Sequence, residues 1–140
     1  MNILVVQEQA LARELMTSVA RAAFPGATVS AAADLASALT SARSLSDLGM
    51  VVLDLALPDS EGLDALVCFR ADLPRAKIVV VSSQDSPELI ADALDVGASG
   101  FIAKSCGIRA MIAALKLVAQ GGVYQPPGFT RPPRPDRGGA

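Results

Sequence analysis

The chain contains no histidine and no tryptophan among its 140 residues. Without histidine, the commonest general base and the commonest transition-metal ligand are gone, and no phosphohistidine can form on this chain. Aromatic residues make up only 4% of the sequence, too few for the base-stacking platforms of single-strand binders. The two cysteines, Cys68 and Cys106, lie far apart. A lone pair makes a poor disulfide framework, so free thiols are the plain reading. No apolar run approaches the roughly 20 residues needed to span a bilayer. The first residues form a strand-like run rather than a secretion signal, which makes the cytoplasm the expected location. The formal net charge is −2, without the basic footprint of nucleic-acid binding. Neither a membrane nor a nucleic acid is expected to touch this chain.

What remains is an apolar chain, 51% hydrophobic, of a length that suits one domain. Three continuous apolar runs, Ile3–Val6, Met50–Leu53 and Ile78–Val81, read as strands buried on both faces of a parallel sheet. Ala27–Ala31 and Gly100–Ala103 are weaker strand candidates. Helical periodicity lies between them. Leu11, Leu15 and Val19 step by four, and Met16 and Ala22 extend their stripe. Asp34 can cap a helix carrying Leu35, Ala38, Leu39 and Ala42. Leu63, Leu66, Val67 and Phe69 share a third helix. Pro87 suits the first turn of a fourth, Glu88 to Val96, stopped by Gly97. Ile108, Met111, Ile112, Leu115 and Val118 mark a fifth, closed by Gly121 and Gly122. Five strand–helix units in alternation predict an α/β doubly wound parallel sheet. From Gln125 the sequence reads "QPPGFTRPPRPDRGGA", with five of the nine prolines. The expected division is a domain over 1–124 and a linker or loose tail over 125–140. Its arginines, Arg131, Arg134 and Arg137, read as solvated.

Ligands of open α/β sheets bind beyond the carboxyl ends of the strands. The residues following the apolar runs therefore matter most. These are Gln7 and Glu8, then Asp54 in "VVLDLALPDSEGLDAL", Ser82 in "IVVVSSQD", and Lys104 in "GFIAKS". Any one of them is an ordinary polar strand end, and Ser83 competes with Ser82. Together they suit phosphoryl transfer to a carboxylate. Asp54 would be the nucleophile, Lys104 a point charge on a phosphoryl oxygen, and Ser82 a hydrogen-bond donor to another. Mg²⁺ would take oxygens from Glu8, Asp54 and a backbone carbonyl.

These residues resemble the receiver domain of two-component response regulators, over residues 1 to about 125. "VVLDLALPDSEGLDAL" resembles its phosphoacceptor segment, and "GASGFIAKS" the segment with its switch aromatic and lysine. "QGGVYQPP" resembles the end of receivers that precede a LuxR-type helix-turn-helix domain. The resemblance implies a flavodoxin-like (βα)5 fold with strand order 2-1-3-4-5. It makes Asp54 the phosphoacceptor, Ser82 the switch hydroxyl, Phe101 the switch aromatic and Lys104 the phosphate partner. Ala56 would supply a carbonyl to Mg²⁺, Glu8 would stand at the inner acid, and Gln7 at the outer acid, acting through water. It further implies a histidine kinase as phosphoryl donor, a homodimer, and a DNA-binding output domain outside this chain. The domain would signal, and would be no enzyme beyond accepting its own phosphoryl group. The family usually has two aspartates where Gln7 and Glu8 stand. Gln7 removes a charge and Glu8 adds a methylene, so Mg²⁺ binding is expected to be weak. Two other readings stay open. One is a degenerate receiver that acts as a phosphorylation-independent interaction module. The other is a hydrolase of the haloacid-dehalogenase type, which would want a second Asp where Ala56 stands.

Overall fold

Hydrophobic burial organises the chain around one parallel sheet. The computed structural model describes residues 1–133. Among these, strands and helices alternate: β1 (Asn2–Val6), α1 (Ala10–Ala23), β2 (Thr28–Ala32), α2 (Leu35–Ser44), β3 (Leu48–Asp54), α3 (Asp64–Asp72), β4 (Lys77–Ser82), α4 (Pro87–Val96), β5 (Gly100–Ala103) and α5 (Ile108–Ala119). A short 3-10 turn, Lys104–Cys106, links the last strand to the last helix. The strand order is β2-β1-β3-β4-β5, and every pairing is parallel. This is the doubly wound α/β sheet expected from the alternation, in the flavodoxin-like (βα)5 order that the resemblance implies.

The central strands are buried on both faces, as their unbroken apolar runs require. Leu4, Val6, Val51, Leu53, Ile78 and Val80 face α2, α3 and α4, where Phe69 and Ile90 complete the layer. Ile3, Val5, Met50, Val52, Val79 and Val81 face α1 and α5, against Met16, Val19, Met111 and Leu115. Two helices begin where side chains cap them. Asp34 accepts from the Ser37 N–H at 2.7 Å, and Ser86 accepts from Leu89 ahead of Pro87 at 3.2 Å. Both contacts satisfy donors that the first helical turn leaves free.

The helical faces differ from the sequence reading in two places. The Leu11–Leu15–Val19 stripe is not the core face of α1. Leu11 is 80% exposed and Leu15 is also exposed, whereas Met16, Val19, Ala20 and Ala23 are buried. At 3.6 residues per turn, Met16, Val19, Ala20 and Ala23 share the face toward the sheet, and Leu11 and Leu15 fall to one side of it. In α3, Val67 is 50% exposed, and the buried set is Ala65, Leu66 and Phe69. Leu63 precedes that helix as its N-cap residue. The last helix is entered from Gly107, after the 3-10 turn.

Opposite the rim, Arg70 ties three segments together. Its Nη1 donates to the carbonyls of Leu73, Pro74 and Ala76, and its Nη2 donates to the Gly97 carbonyl at 2.8 Å. The end of α3, the entry to β4 and the end of α4 are thereby joined by one planar fork.

Beyond α5 the chain does not leave the domain at once. Tyr124 bridges to Gly100 in parallel, where its carbonyl accepts from Phe101 at 3.0 Å. Gly100 allows a close approach there: a Cβ would lie 3.1 Å from Val118 Cγ2 and 3.2 Å from Tyr124 Cβ, so these neighbours would have to give way by a few tenths of an ångström. Phe129 packs half-buried against the α4 side of the core. Residues 125–133 have no helix or strand, in line with the composition change at Gln125, yet they lie on the domain surface. Arg131 is paired with Asp95 at 3.0 Å, whereas Arg134 and Arg137 lie outside the described residues. Among the described residues no helix is long and apolar enough to cross a membrane.

Candidate functional site

The order of strand addition reverses between β1 and β3, since β2 lies on one side of β1 and β3 on the other. A crevice opens at such a switch point, at the carboxyl ends of the strands. Val6 is in register with Leu53, so Gln7 and Asp54 come next on neighbouring strands, about 4.8 Å apart in the pairing direction. Asp54 is in turn in register with Val81, and Ser82 with Ala103, directly before Lys104. The fold therefore gathers Gln7, Asp54, Ser82 and Lys104 on one rim. Gln7, Asp54 and Ser82 are buried polar residues within an otherwise apolar interior.

Asp54 is the centre. It is 6% exposed. Lys104 Nζ donates to Asp54 Oδ2 at 2.7 Å, and the Ala56 N–H donates to Oδ1 at 2.9 Å. Burial makes an unpaired carboxylate costly, and these two donors offset that cost. Each carboxylate oxygen retains lone pairs beyond the bonds made. A cavity of about 290 Å³ opens beside Asp54, lined among others by Ala56, Ser82, Ser83, Gln84 and Leu89. Ser82 Oγ accepts from the Gln84 N–H at 3.0 Å, which leaves its own O–H to donate. Ser82 is buried and Ser83 exposed, so the strand end distinguishes the two hydroxyls. Phe101 is fully buried in the α4-side core.

The corner at Gln7 and Glu8 differs from the rest. Gln7 is 0% exposed, and both atoms of its carboxamide lack a hydrogen-bond partner among the described residues. Its backbone N–H donates to the Ala32 carbonyl at 3.0 Å. Glu8 is exposed. The loop itself is held by Arg13, whose Nη1 donates to the carbonyls of Gln7 and Glu8 at 3.1 Å each. The donors at this corner are hard oxygens (a carboxylate on Glu8, one on Asp54, the Ala56 carbonyl and the orphan amide oxygen of Gln7), which suit Mg²⁺ chemically. Among the described residues no cluster of three or more Asp, Glu, His or Cys side chains forms a cation site. The donor type fits Mg²⁺, with less charge than three acids would bring.

Asp59 fixes the loop after Asp54. Its two carboxylate oxygens accept from the Leu35 N–H at 2.7 Å and the Ala36 N–H at 3.0 Å, at the start of α2. These bonds, that from Leu35 foremost, hold the Asp59 carboxyl below the ordinary value of 3.8. A carboxyl depressed by folding stabilises above its unfolded pKa, and that contribution is lost as pH falls through the folded pKa. Asp59→Asn is accordingly expected to flatten the loss of stability as pH falls below the ordinary carboxyl value of 3.8. Urea denaturation across that range checks it; an unchanged acid slope would contradict the role. Sequence reading passed over Asp59 and Arg13, although Asp59 sits in a "PDS" turn, where a side chain free to cap a neighbouring helix is common.

The sequence pattern of the response regulator receiver domain matches residues 3–116. This chain belongs to the response regulator receiver family. The receiver is 36% identical over 130 residues to the glycerol metabolism activator of Pseudomonas putida, covering 93% of this chain and 59% of that protein. It thus spans less than two thirds of that relative. It is also similar in structure to a LuxR family DNA-binding response regulator from Silicibacter pomeroyi, with a TM-score of 0.81 and 28% identity, covering 92% of this chain and 99% of the other. A LuxR family two-component response regulator from Aurantimonas sp. SI85-9A1 gives a TM-score of 0.82 and 26% identity over 91% of both chains. Membership makes this receiver a signalling domain, and the dehalogenase-type hydrolase is set aside.

Proposed function

We propose that this receiver accepts a phosphoryl group on Asp54 from a histidine kinase and uses it to alter a protein-interaction surface. The observation that carries the reading is the buried Asp54 carboxylate, paired with Lys104 at 2.7 Å and opening on a cavity shared with Ser82. In the transfer, an Asp54 oxygen forms the new O–P bond while the N–P bond of the donor's phosphohistidine breaks. The electron pair of that bond leaves with the imidazole nitrogen, and Asp54 becomes an acyl phosphate. Positioning and charge neutralisation supply most of such catalysis. Lys104 follows the phosphoryl oxygens as a point charge, the Ala56 N–H remains a donor beside them, and the Ser82 hydroxyl donates to a third oxygen. Phe101, next in chain to β5's edge bridge, serves as the aromatic that packs differently when Ser82 moves.

Mg²⁺ would be held by Glu8, Asp54 and the Ala56 carbonyl, with Gln7 acting through water, and would supply further neutralisation of the phosphoryl charge. The pair Gln7–Glu8 makes that binding weak. The domain covers residues 1–124, with 125–140 as the connecting segment. The protein works in the cytoplasm, pairs with a second copy, and passes its state to a DNA-binding output domain of the LuxR type.

The test uses acetyl phosphate across a Mg²⁺ series, with intact mass as the readout. One phosphoryl group should be gained by the natural protein and none by Asp54→Ala. A folded natural protein that gains no mass even at high Mg²⁺ would remove phosphotransfer. That outcome would favour a second reading, supported by the buried, unpartnered carboxamide of Gln7 and the exposure of Glu8. In it, the Asp54–Lys104 pair stays closed and the domain is a phosphorylation-independent interaction module.

A further inference from the structure

The Pro-rich segment after Tyr124 is seated on the domain by three successive contacts. The Tyr124 N–H donates to the Ser99 carbonyl at 3.2 Å, which anchors the start of the segment to the edge of the sheet. A turn follows: the Phe129 N–H donates to the Pro126 carbonyl at 3.0 Å, and Gly128 has φ 79. Proline second and a left-handed glycine third are the requirements of a type II turn. That turn directs Phe129 onto the core cluster that includes Ile90 of α4. Arg131 Nη1 then meets Asp95 Oδ1 at 3.0 Å. An exposed pair of this kind adds little stability, but it sets direction: the segment runs from the first turn of α4 toward its last.

The first turn of α4 separates two hollows. Leu89 lines the cavity at Asp54, together with Ser82, Ser83 and Gln84. Asp85, Pro87 and Ile90 line a groove of about 240 Å³ whose other wall is Pro126–Thr130. The loop between β4 and α4 hangs on the Ser82 hydroxyl through the Gln84 N–H at 3.0 Å.

We infer that residues 125–133 are a strap whose seat on α4 follows the state of Asp54, loosening when a phosphoryl group arrives. The inference rests on phosphoryl acceptance at Asp54. A phosphoryl oxygen at Asp54 accepts from the Ser82 O–H and draws Ser82 inward. Ser82 keeps its bond from Gln84, because a hydroxyl can donate and accept at once. Gln84 moves with it, Asp85 and Pro87 follow through the chain, and the wall against Phe129 shifts. The apolar contact of Phe129 is the part of the seat most sensitive to that shift, since dispersion is lost within a fraction of an ångström. Linkage makes the coupling reciprocal: whatever unseats Phe129 also changes the loop that carries Ser82.

Hydrogen exchange of the full chain, with intact mass read on the same sample, tests this. With acetyl phosphate, the Phe129 amide, which donates to the Pro126 carbonyl, should exchange about fivefold faster or more once the adduct is present, and not at all faster in Asp54→Ala. An adduct with unchanged exchange at Phe129 would overturn the strap and leave the phosphoacceptor reading standing. Should no adduct form, that reading fails on its own, and Phe129→Ala decides the strap. Faster exchange by a similar factor at residues 83–90, with the β1 and β3 amides still protected, supports the coupling. Unchanged exchange at 83–90 in that folded variant overturns it.

Discussion

Replacing Gln7 with aspartate is expected to lower thermal stability in the absence of divalent ions and to make it rise with Mg²⁺. The Gln7 side chain is wholly buried and comes next in register to Asp54. A carboxylate there adds a second buried negative charge beside one lysine, and its desolvation is poorly compensated. A dication reverses the balance. At a separation of about 5 Å and an effective dielectric of roughly 40–80, one more unit charge attracts it by roughly 1.5–3 kcal/mol. That corresponds to binding tighter by roughly 10–150-fold. Glu8→Asp, which shortens the other side chain of the pair, should add to the gain and lower the Mg²⁺ needed for phosphorylation. Melting curves over a Mg²⁺ series and calorimetric titration give the two readouts. A variant whose melting ignores Mg²⁺ and whose affinity equals the natural protein's would show that Gln7 is not at the metal corner.

Lys104→Ala should destabilise the fold by about 1–3 kcal/mol, and Asp54→Ala by clearly less. The two partners of the 2.7 Å pair are unequally buried: the Lys104 side chain is 33% exposed and that of Asp54 only 8%. A lysine that loses its partner can turn its ammonium into water along a flexible stem. The aspartate cannot, and is left with the Ala56 N–H alone. Equilibrium urea denaturation of both variants, with the m-value checked for constancy, compares them directly. Equal losses, or a larger loss for Asp54→Ala, would mean that burial of Asp54 is not what makes the pair asymmetric.

The parts of this molecule that sequence reading reached are those governed by short-range pattern. Ile3–Val6, Met50–Leu53 and Ile78–Val81 are short apolar runs rich in β-branched residues, which suit strands covered on both faces. Once they were in place, their following residues had to share a rim, so Gln7, Asp54, Ser82 and Lys104 could be grouped without coordinates. The α1 stripe differs because a step of four drifts around the helix: Val19 reaches the buried face with Met16, Ala20 and Ala23, whereas Leu11 and Leu15 stay to one side of it. Asp59 and Arg13 were missed for another reason. Asp59 caps a helix start 23 and 24 residues away, and Arg13 reaches back to carbonyls that no local pattern marks as free. The seat of the Pro-rich segment had a local signal in "PPGF", since Pro-Gly is a turn dipeptide. Composition reads the segment as a linker or loose tail; the packing of Phe129 and the Arg131–Asp95 pair depend on distant residues that composition does not report.

The four hydrogen bonds of Arg70 give α4 two unlike ends. Its carboxyl end is clamped at Gly97, whose φ of 122° side chains rarely adopt and where a Cβ would lie 3.1 Å from Arg70 Nε. Its amino end is joined to the rim by a loop of exposed residues, 83–86. A helix held firmly at one end and loosely at the other is freer to swing than to slide. Under the proposed coupling, a displacement that starts at Ser82 would turn about the Arg70 clamp, with its largest amplitude at the first turn of α4 and its smallest at the last.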